Sequence, residues 1–391
     1  MQSDLVTDIG WASCHKYGEE LCGDQVVIHD RHGASPVLVL ADGLGSGVKA
    51  CILATLTAKI IATMIANAMP LEECVATVAS TLPVCEIRKI AYATFTIIRI
   101  TDSREAEVIE FENPGLIVLR NGKSIQFPAT STKMSGKTIL TSKFALEEGD
   151  ILVAVSDGTL HASVGETLNY AWDRSAIIQY LEDTHAANLP AKSLCTVLRD
   201  QCRKLYGYKP GDDVSVCAVA VRRRSLANVL IGPPKNPVDD AAMLEQFLPR
   251  PGTRIVCGGT TAQIVAKGLN AHIREVAYRP DPAIPPISTI AGIDLVTEGA
   301  LTVSRVAAYA EEYSGANEGY DDWCFSEDGA SRMAQLLLDK ATDISFTLGL
   351  AENPAHCDLD TSSGLAAKPR MVKRLASALK KSGKNVSFSY W

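Results

Sequence analysis

An unbroken apolar run at residues 37–41 stops at Asp42 and Gly43, and residues 48–68 then carry a helical pattern that closes before Pro70. A short run of aliphatic residues ended by a glycine-rich turn reads as a buried strand. The same grammar returns at residues 151–155, which end on Ser156, Asp157 and Gly158. It returns in reverse at Gly211, Asp212 and Asp213, which open the apolar run 214–221. Buried strands that begin or end on an acid are the main constraint on the first half of the chain.

Between these points the period changes. Residues 71–82, 175–184 and 191–206 have helical patterns, whereas 91–100 and 105–112 are rich in β-branched residues. Residues 116–120 lead into Asn121 and Gly122, a strong hairpin signal. Strands outnumber what a parallel alternation with helices would give, so residues 1–222 read as an α/β sandwich of mainly antiparallel sheets. After Arg224 the order changes. Candidate strands at 226–231, 254–257, 273–277, 344–348 and 385–388 alternate with helical stretches at 237–247, 261–268, 300–313, 331–342 and 368–381. That alternation predicts a separate three-layer α/β domain over residues 226–391. The fold class is therefore multi-domain α/β, and a length of 391 residues suits two or three domains of about 150 residues each.

Four acids stand at predicted strand ends: Asp24, Asp42, Asp157 and Asp212. Carboxylates that converge from buried strands repel one another unless a cation separates them. Hard divalent ions such as Mg²⁺ or Mn²⁺ prefer oxygen ligands of this kind. Any one Asp-Gly is an ordinary turn, and Asp30, Asp102 and Asp150 are read only as turn residues. What distinguishes the four is their order and their strand context.

The segments CGDQ at 22–25, LADGLGSGVKA at 40–50, VAVSDG at 153–158 and GDDVSVCAVAV at 211–221 resemble the ordered metal-binding motifs of PP2C-superfamily serine/threonine phosphatases, closest to the bacterial SpoIIE-like branch. The resemblance covers residues 1–222 and implies an α-β-β-α sandwich. It implies two divalent ions, Mn²⁺ or Mg²⁺, with Asp42 bridging them and the Gly43 carbonyl on one. Asp157 and Asp212 would complete one ion, Asp24 would hold the other, and Asp213 would orient Asp212 or a bound water. The implied reaction is in-line attack of a metal-bridging hydroxide on phosphoserine or phosphothreonine, with Asp42, Asp157 and Asp212 as the catalytic set. The chain departs from parts of the superfamily: Leu44 stands where a histidine is common, and Lys16 is the nearest candidate for clamping phosphate. The implied substrate is a phosphorylated bacterial regulatory protein.

A net charge of −7 argues against broad capture of nucleic acid, and the basic run Arg222 to Arg224 reads as a solvated joint. The cysteines lack Cys-x-x-Cys spacing. Cys51, Cys217 and Cys257 read as small buried residues, as does Cys22 beside the first motif. The histidines lack ligand spacing, and His161, four residues after Asp157, is the one to mutate. The opening residues carry no leader pattern, and the helix after Gly47 reads as a core helix rather than a membrane span. The expected setting is cytoplasmic, without membrane or nucleic-acid partners, and a homodimer is compatible with the sequence.

In the second domain, three loops after predicted strands are candidates for a small-molecule or protein ligand: Gly258, Gly259, Thr260 and Thr261; Gly232, Pro233 and Pro234; and the stretch 352–356 holding Asn353 and His356. Thr297, Glu298 and Gly299 are expected to cap the helix that follows. Two alternative functions stand beside phosphatase activity. One is a non-catalytic phosphoprotein-binding regulator; the other is a C-terminal domain acting on a small anionic metabolite.

Overall fold

The computed structural model describes residues 5–31, 35–67, 69–70, 73–74, 76–78, 93–134, 137–162, 172–185, 188–276, 284–351 and 364–391. The chain divides into two compact units, Met1–Arg223 and Arg224–Trp391.

The strands of the first unit are β1 (Leu5–Cys14), β2 (Asp24–His29), β3 (Val37–Gly43), β4 (Ala93–Thr101), β5 (Glu105–Phe111), β6 (Ile117–Arg120), β7 (Lys123–Ile125), β8 (Thr130–Met134), β9 (Lys137–Ala145), β10 (Ile151–Val155) and β11 (Val214–Arg223). Helix α1 (Gly47–Ala66) follows β3; α2 (Asp157–Leu160), α3 (Arg174–Asp183) and α4 (Ala191–Leu205) lie between β10 and β11. The strands form two antiparallel sheets, in orders β1-β11-β10-β6-β7 and β2-β3-β4-β5-β9-β8.

Alternation along each strand builds the layers. Leu38 and Leu40 point between the sheets, where they join Val26, Ile98, Leu152, Ala154, Cys217 and Val219. Val37, Val39 and Ala41 point outward and pack with Ala54, Ala58 and Ile61 of α1. On the far side, Val153, Val155, Val214 and Val216 pack against Ile177, Leu194 and Leu198 of α3 and α4. The result is the α-β-β-α sandwich. It explains why β3 and β11 read as continuous apolar runs even though their sheets are antiparallel: both faces are covered.

Helix α1 is long and apolar enough to cross a membrane. One of its faces lies on the sheet, and Val48, Ile52, Leu56 and Ile60 on another are exposed. Cys217 and Cys257 are buried, whereas Cys22 and Cys51 are only half-buried. The predicted helix at 71–82 lies largely outside the described residues.

Asp150 corrects the sequence reading. It is wholly buried instead of sitting in a surface turn. Its carboxylate accepts hydrogen bonds from Arg120 Nε at 2.8 Å, Arg120 Nη2 at 2.7 Å and the Glu147 amide at 2.8 Å. The basic run is likewise neutralised: Arg222 pairs with Asp8, Arg223 with Glu148 and Arg224 with Asp343.

The second unit holds β12 (Leu226–Ile231), β13 (Thr253–Cys257), β14 (Arg274–Glu275), β15 (Ser288–Ile290), β16 (Ile293–Thr297), β17 (Asp343–Leu348) and β18 (Asn385–Tyr390). Among its helices are α5 (Asp240–Phe247), α6 (Gly259–Gly268), α7 (Ala300–Ser314), α8 (Tyr320–Cys324), α9 (Gly329–Ala334) and α10 (Gly364–Lys381). The sheet order is β14-β15-β16-β13-β12-β17-β18, with β16, β13, β12, β17 and β18 parallel. Strand β12 comes first in sequence yet lies centrally, so the chain winds outward from it in both directions, as in doubly wound sheets. The expected helix at 331–342 is divided: α9 gives way to a wider π-helical stretch at Gln335–Lys340.

Candidate metal centre

The site is built by the same alternation that makes the core. Leu38 and Leu40 face the inter-sheet layer, so the next residue of that set on β3 is Asp42. Asp24 is its partner across β2 and β3, two residues before inward-facing Val26. In the opposite sheet Leu152 and Ala154 are followed by Ser156, while Cys217 is preceded by Ser215 and Asp213. Thus at one end of the sandwich the apolar filling is replaced by acids and hydroxyls from both sheets. Asp157 opens α2 immediately beyond β10, and Asp212 lies just before β11.

Close backbone approach makes this convergence feasible. A Cβ on Gly158 would stand 2.1 Å from the Asp213 carbonyl oxygen, and one on Gly43 would stand 2.1 Å from the Ala50 carbonyl oxygen. Only glycine fits at either position. Gly158 thereby lets the Asp157 turn lie directly on the Asp212–Asp213 segment, and Gly43 seats the end of β3 against α1.

Hydrogen bonds fix the frame. The Ser156 amide donates to the Ser215 carbonyl at 3.0 Å, and the Ser215 amide donates to Ser156 Oγ at 2.9 Å. The Lys16 amide donates to Asp213 Oδ1 at 3.0 Å, and the Asp213 amide donates to Asp212 Oδ1 at 3.0 Å. Asp213 is therefore held by the backbone near Lys16 and is itself buried.

Electrostatically the site is an unbalanced cluster of acids. Burial raises the Asp42 pKa, and Asp24, Asp157 and Asp212 raise it further. Burial likewise raises Asp24, opposed by the Ser156 hydroxyl and reinforced by Asp213 and Asp157. Asp212 is raised first by burial and also by Asp157, with the Asp213 amide and Lys16 acting in the other direction. Burial, followed by the charges of Asp24 and Asp213, pushes the Cys22 thiol up, which suits a packed thiol rather than a nucleophile.

The residues fit a divalent cation by a direct test. Asp24 Oδ2 and Asp213 Oδ2 are buried oxygens without a hydrogen-bond partner. Buried carboxylate oxygens without donors call for a cation or a proton. Among the described residues, no group of three or more His, Cys, Asp or Glu side chains stands close enough together to hold a metal ion as it is placed. The acids are near enough to raise one another's pKa without being drawn in around a common point.

Other candidates fall elsewhere. His161 follows α2 as its C-terminal cap, its amide donating to the Asp157 carbonyl. At the glycine-rich turn before α1, Ser46 Oγ donates to Glu19 Oε1 at 3.2 Å, so a carboxylate of the chain already sits beside that helix terminus. In the second unit Gly258 caps α6 with φ +107°, Gly259 and Thr260 open its first turn, and Thr261 is buried. Gly299 lies against Gly258. The Leu301 amide donates to Glu298 Oε2 at 3.2 Å, which caps α7. Asn353 and His356 lie outside the described residues. Sequence reasoning missed Tyr206. It closes α4, and its phenol reaches the Gly158 carbonyl at 2.9 Å.

A family model described as stage II sporulation protein E (SpoIIE) matches residues 33–222. Among solved structures, the phosphatase domain of SpoIIE from Bacillus subtilis is 14% identical over 57% of this chain and 96% of that one, with a TM-score of 0.45. A second Bacillus subtilis structure, the SpoIIE PP2C phosphatase domain with a fragment of its regulatory domain, is 16% identical over 55% of this chain and 63% of that one, with a TM-score of 0.48. The RsbU and RsbW domains of a Mycobacterium tuberculosis protein are 18% identical over 56% of this chain and 60% of that one, with a TM-score of 0.46. The chain thus spans less than two thirds of the latter two. No curated protein matches it.

Proposed function

We propose, from the match of residues 33–222 to the stage II sporulation protein E model, that the first unit is a PP2C-type phosphatase domain that hydrolyses phosphoserine or phosphothreonine on a bacterial regulatory protein. The observation that carries this reading is the replacement of the inter-sheet core, at one end, by Asp24, Asp42, Asp157, Asp212 and Asp213, with two buried carboxylate oxygens left without donors.

Two divalent ions, Mn²⁺ or Mg²⁺, would be held there by Asp24, Asp42, the Gly43 carbonyl, Asp157 and Asp212. Bound ions of this kind activate water for attack on phosphorus and neutralise the phosphoryl oxygens. The chain's own part is positional. The paired strands β2 and β3 fix Asp24 opposite Asp42, so two acids from one sheet enter at a set separation. The contact of Gly158 with Asp213 brings in the acids of the other sheet. Asp213 bonds to the Lys16 amide through Oδ1 and, through its own amide, to Asp212, which suits an orienting role, and its unpartnered Oδ2 would accept from a metal-bound water. Covalent catalysis is not needed by this reading, and Cys22 is a packing residue in it.

The test is hydrolysis of p-nitrophenyl phosphate and of phosphopeptides with Mn²⁺, Mg²⁺ or chelator, alongside Asp42→Ala. Activity that survives both chelation and the substitution would sink the mechanism. For the second unit we propose recognition of a small molecule or protein at the carboxyl ends of its parallel strands, supported by the doubly wound order around β12. A ligand-induced thermal shift of the full chain that persists in Asp42→Ala would test it.

A further inference from the structure

Tyr206 closes α4 and is almost wholly buried in the helix-side core of the five-stranded sheet. Its hydroxyl donates to the Gly158 carbonyl, one residue beyond Asp157, at 2.9 Å. Its ring edge lies where a side chain on Gly211, one residue before Asp212, would begin: a Cβ there would be 3.3 Å from Cε1. One aromatic side chain therefore touches both loops that deliver acids from this sheet.

Each contact has a physical reason. Helix α2 has four residues, so its carbonyls have few intrahelical donors. The Asp157 carbonyl takes the His161 amide, and the Gly158 carbonyl takes the Tyr206 hydroxyl. A buried phenol in turn needs an acceptor, and its two torsions make it a stiff spacer. Gly158 is itself pressed on the Asp213 backbone. Movement of the Asp157 turn relative to Asp212 must therefore break the phenol bond or push the ring into Gly211. Burial raises the pKa of Tyr206, and the charges of Asp212 and Asp157 raise it further, so the phenol stays protonated as a donor.

We propose that Tyr206 is a positioning residue that sets the separation of Asp157 from Asp212 and so the affinity of the site for its divalent ion. This inference rests on the phosphatase reading above. Groups that orient metal-binding side chains change metal affinity by about 10- to 100-fold when removed. Tyr206→Phe keeps the ring and the packing while deleting the donor to Gly158. Gly211→Ala leaves the hydroxyl in place and crowds the ring edge, so it disturbs the same spacing by an independent route.

The experiment is calorimetric titration of the full chain with Mn²⁺, for wild type and both variants, with thermal melts in chelator and p-nitrophenyl phosphate turnover at rising Mn²⁺. Roughly tenfold weaker Mn²⁺ binding is expected in each variant. Melting in chelator should stay close to wild type in Tyr206→Phe, and kcat should recover at saturating Mn²⁺ with KM for substrate unchanged. Wild-type Mn²⁺ affinity in both variants overturns the role of Tyr206, as does a loss of affinity that merely follows a lower melting temperature in chelator. A wild-type chain that binds no Mn²⁺ overturns the phosphatase reading and this inference together, so the two failures are distinguishable.

Discussion

Asp24 and Asp42 are direct partners across β2 and β3, on the face that continues Val26 and Leu40. Two acids opposite one another in an antiparallel pair repel, and like charges at such positions destabilise a sheet. Their placement at the mouth of the core is intelligible if a cation joins them. Without it the first unit carries an electrostatic cost that its own residues only partly offset.

Metal should therefore stabilise the fold as well as activate it. At a free Mn²⁺ concentration of a hundred times Kd, mass action contributes about 2.7 kcal/mol. For a unit of this size that is a rise in melting temperature of roughly 5–10 °C. Differential scanning fluorimetry should show the rise in wild type and its loss in Asp42→Ala.

Adding a methyl group at Gly158 tests the seating of the Asp157 turn. Gly158→Ala places a carbon 2.1 Å from the Asp213 carbonyl oxygen, so the two segments must separate. A stability loss of about 1–3 kcal/mol is expected in chelator, together with weaker Mn²⁺ binding. Denaturant melts and metal titrations would read the two effects separately.

Arg120 and Asp150 make a pair remote from the acids. Asp150 is fully buried and accepts both Arg120 Nε and Nη2. Arg120→Ala leaves that carboxylate without its cation and should cost about 3–5 kcal/mol. Arg120→Ala with Asp150→Ala should cost less than the sum of the single changes, which a double-mutant cycle by urea unfolding would measure.

Lys192 gives a pH signature. Burial lowers its pKa to about 8, opposed by Cys195 and Cys217 and assisted by Arg199 and Arg31. Its amine donates to the Trp11 carbonyl at 2.8 Å. The unfolded chain, with a lysine near ~10.4, binds more protons than the folded one between those values, so this residue's contribution to stability rises with pH across that window. The buried thiols titrate in the opposite sense there, so the effect is read as the difference between wild type and Lys192→Met. Wild-type stability relative to Lys192→Met should rise by on the order of 3 kcal/mol from pH 8 to pH 10.5 in urea melts.

The sequence made β3, β10 and β11 legible because each is buried on both faces and is flanked by an acid and a glycine. Strand β1 escaped notice because most of Leu5–Cys14 is only half-buried and its pattern is weak. Strand β16 was hidden because its five residues run straight into the cap of α7. Asp150 has the sequence of a turn, and only the arrival of Arg120, thirty positions away, makes it a core residue. Tyr206 read as the last residue of a helix. Its importance comes from Gly158 and Gly211, which approach it only once the chain is folded.

The two-sided burial of β3 has a consequence for how such a chain can diverge. Many aliphatic substitutions would satisfy positions 37–41, but a single insertion or deletion between Val37 and Asp42 would exchange the strand's two faces. The carboxylate would then enter the greasy seam beneath α1, and an aliphatic group would occupy the mouth. Heredity can rewrite the letters of this strand far more freely than it can change their number.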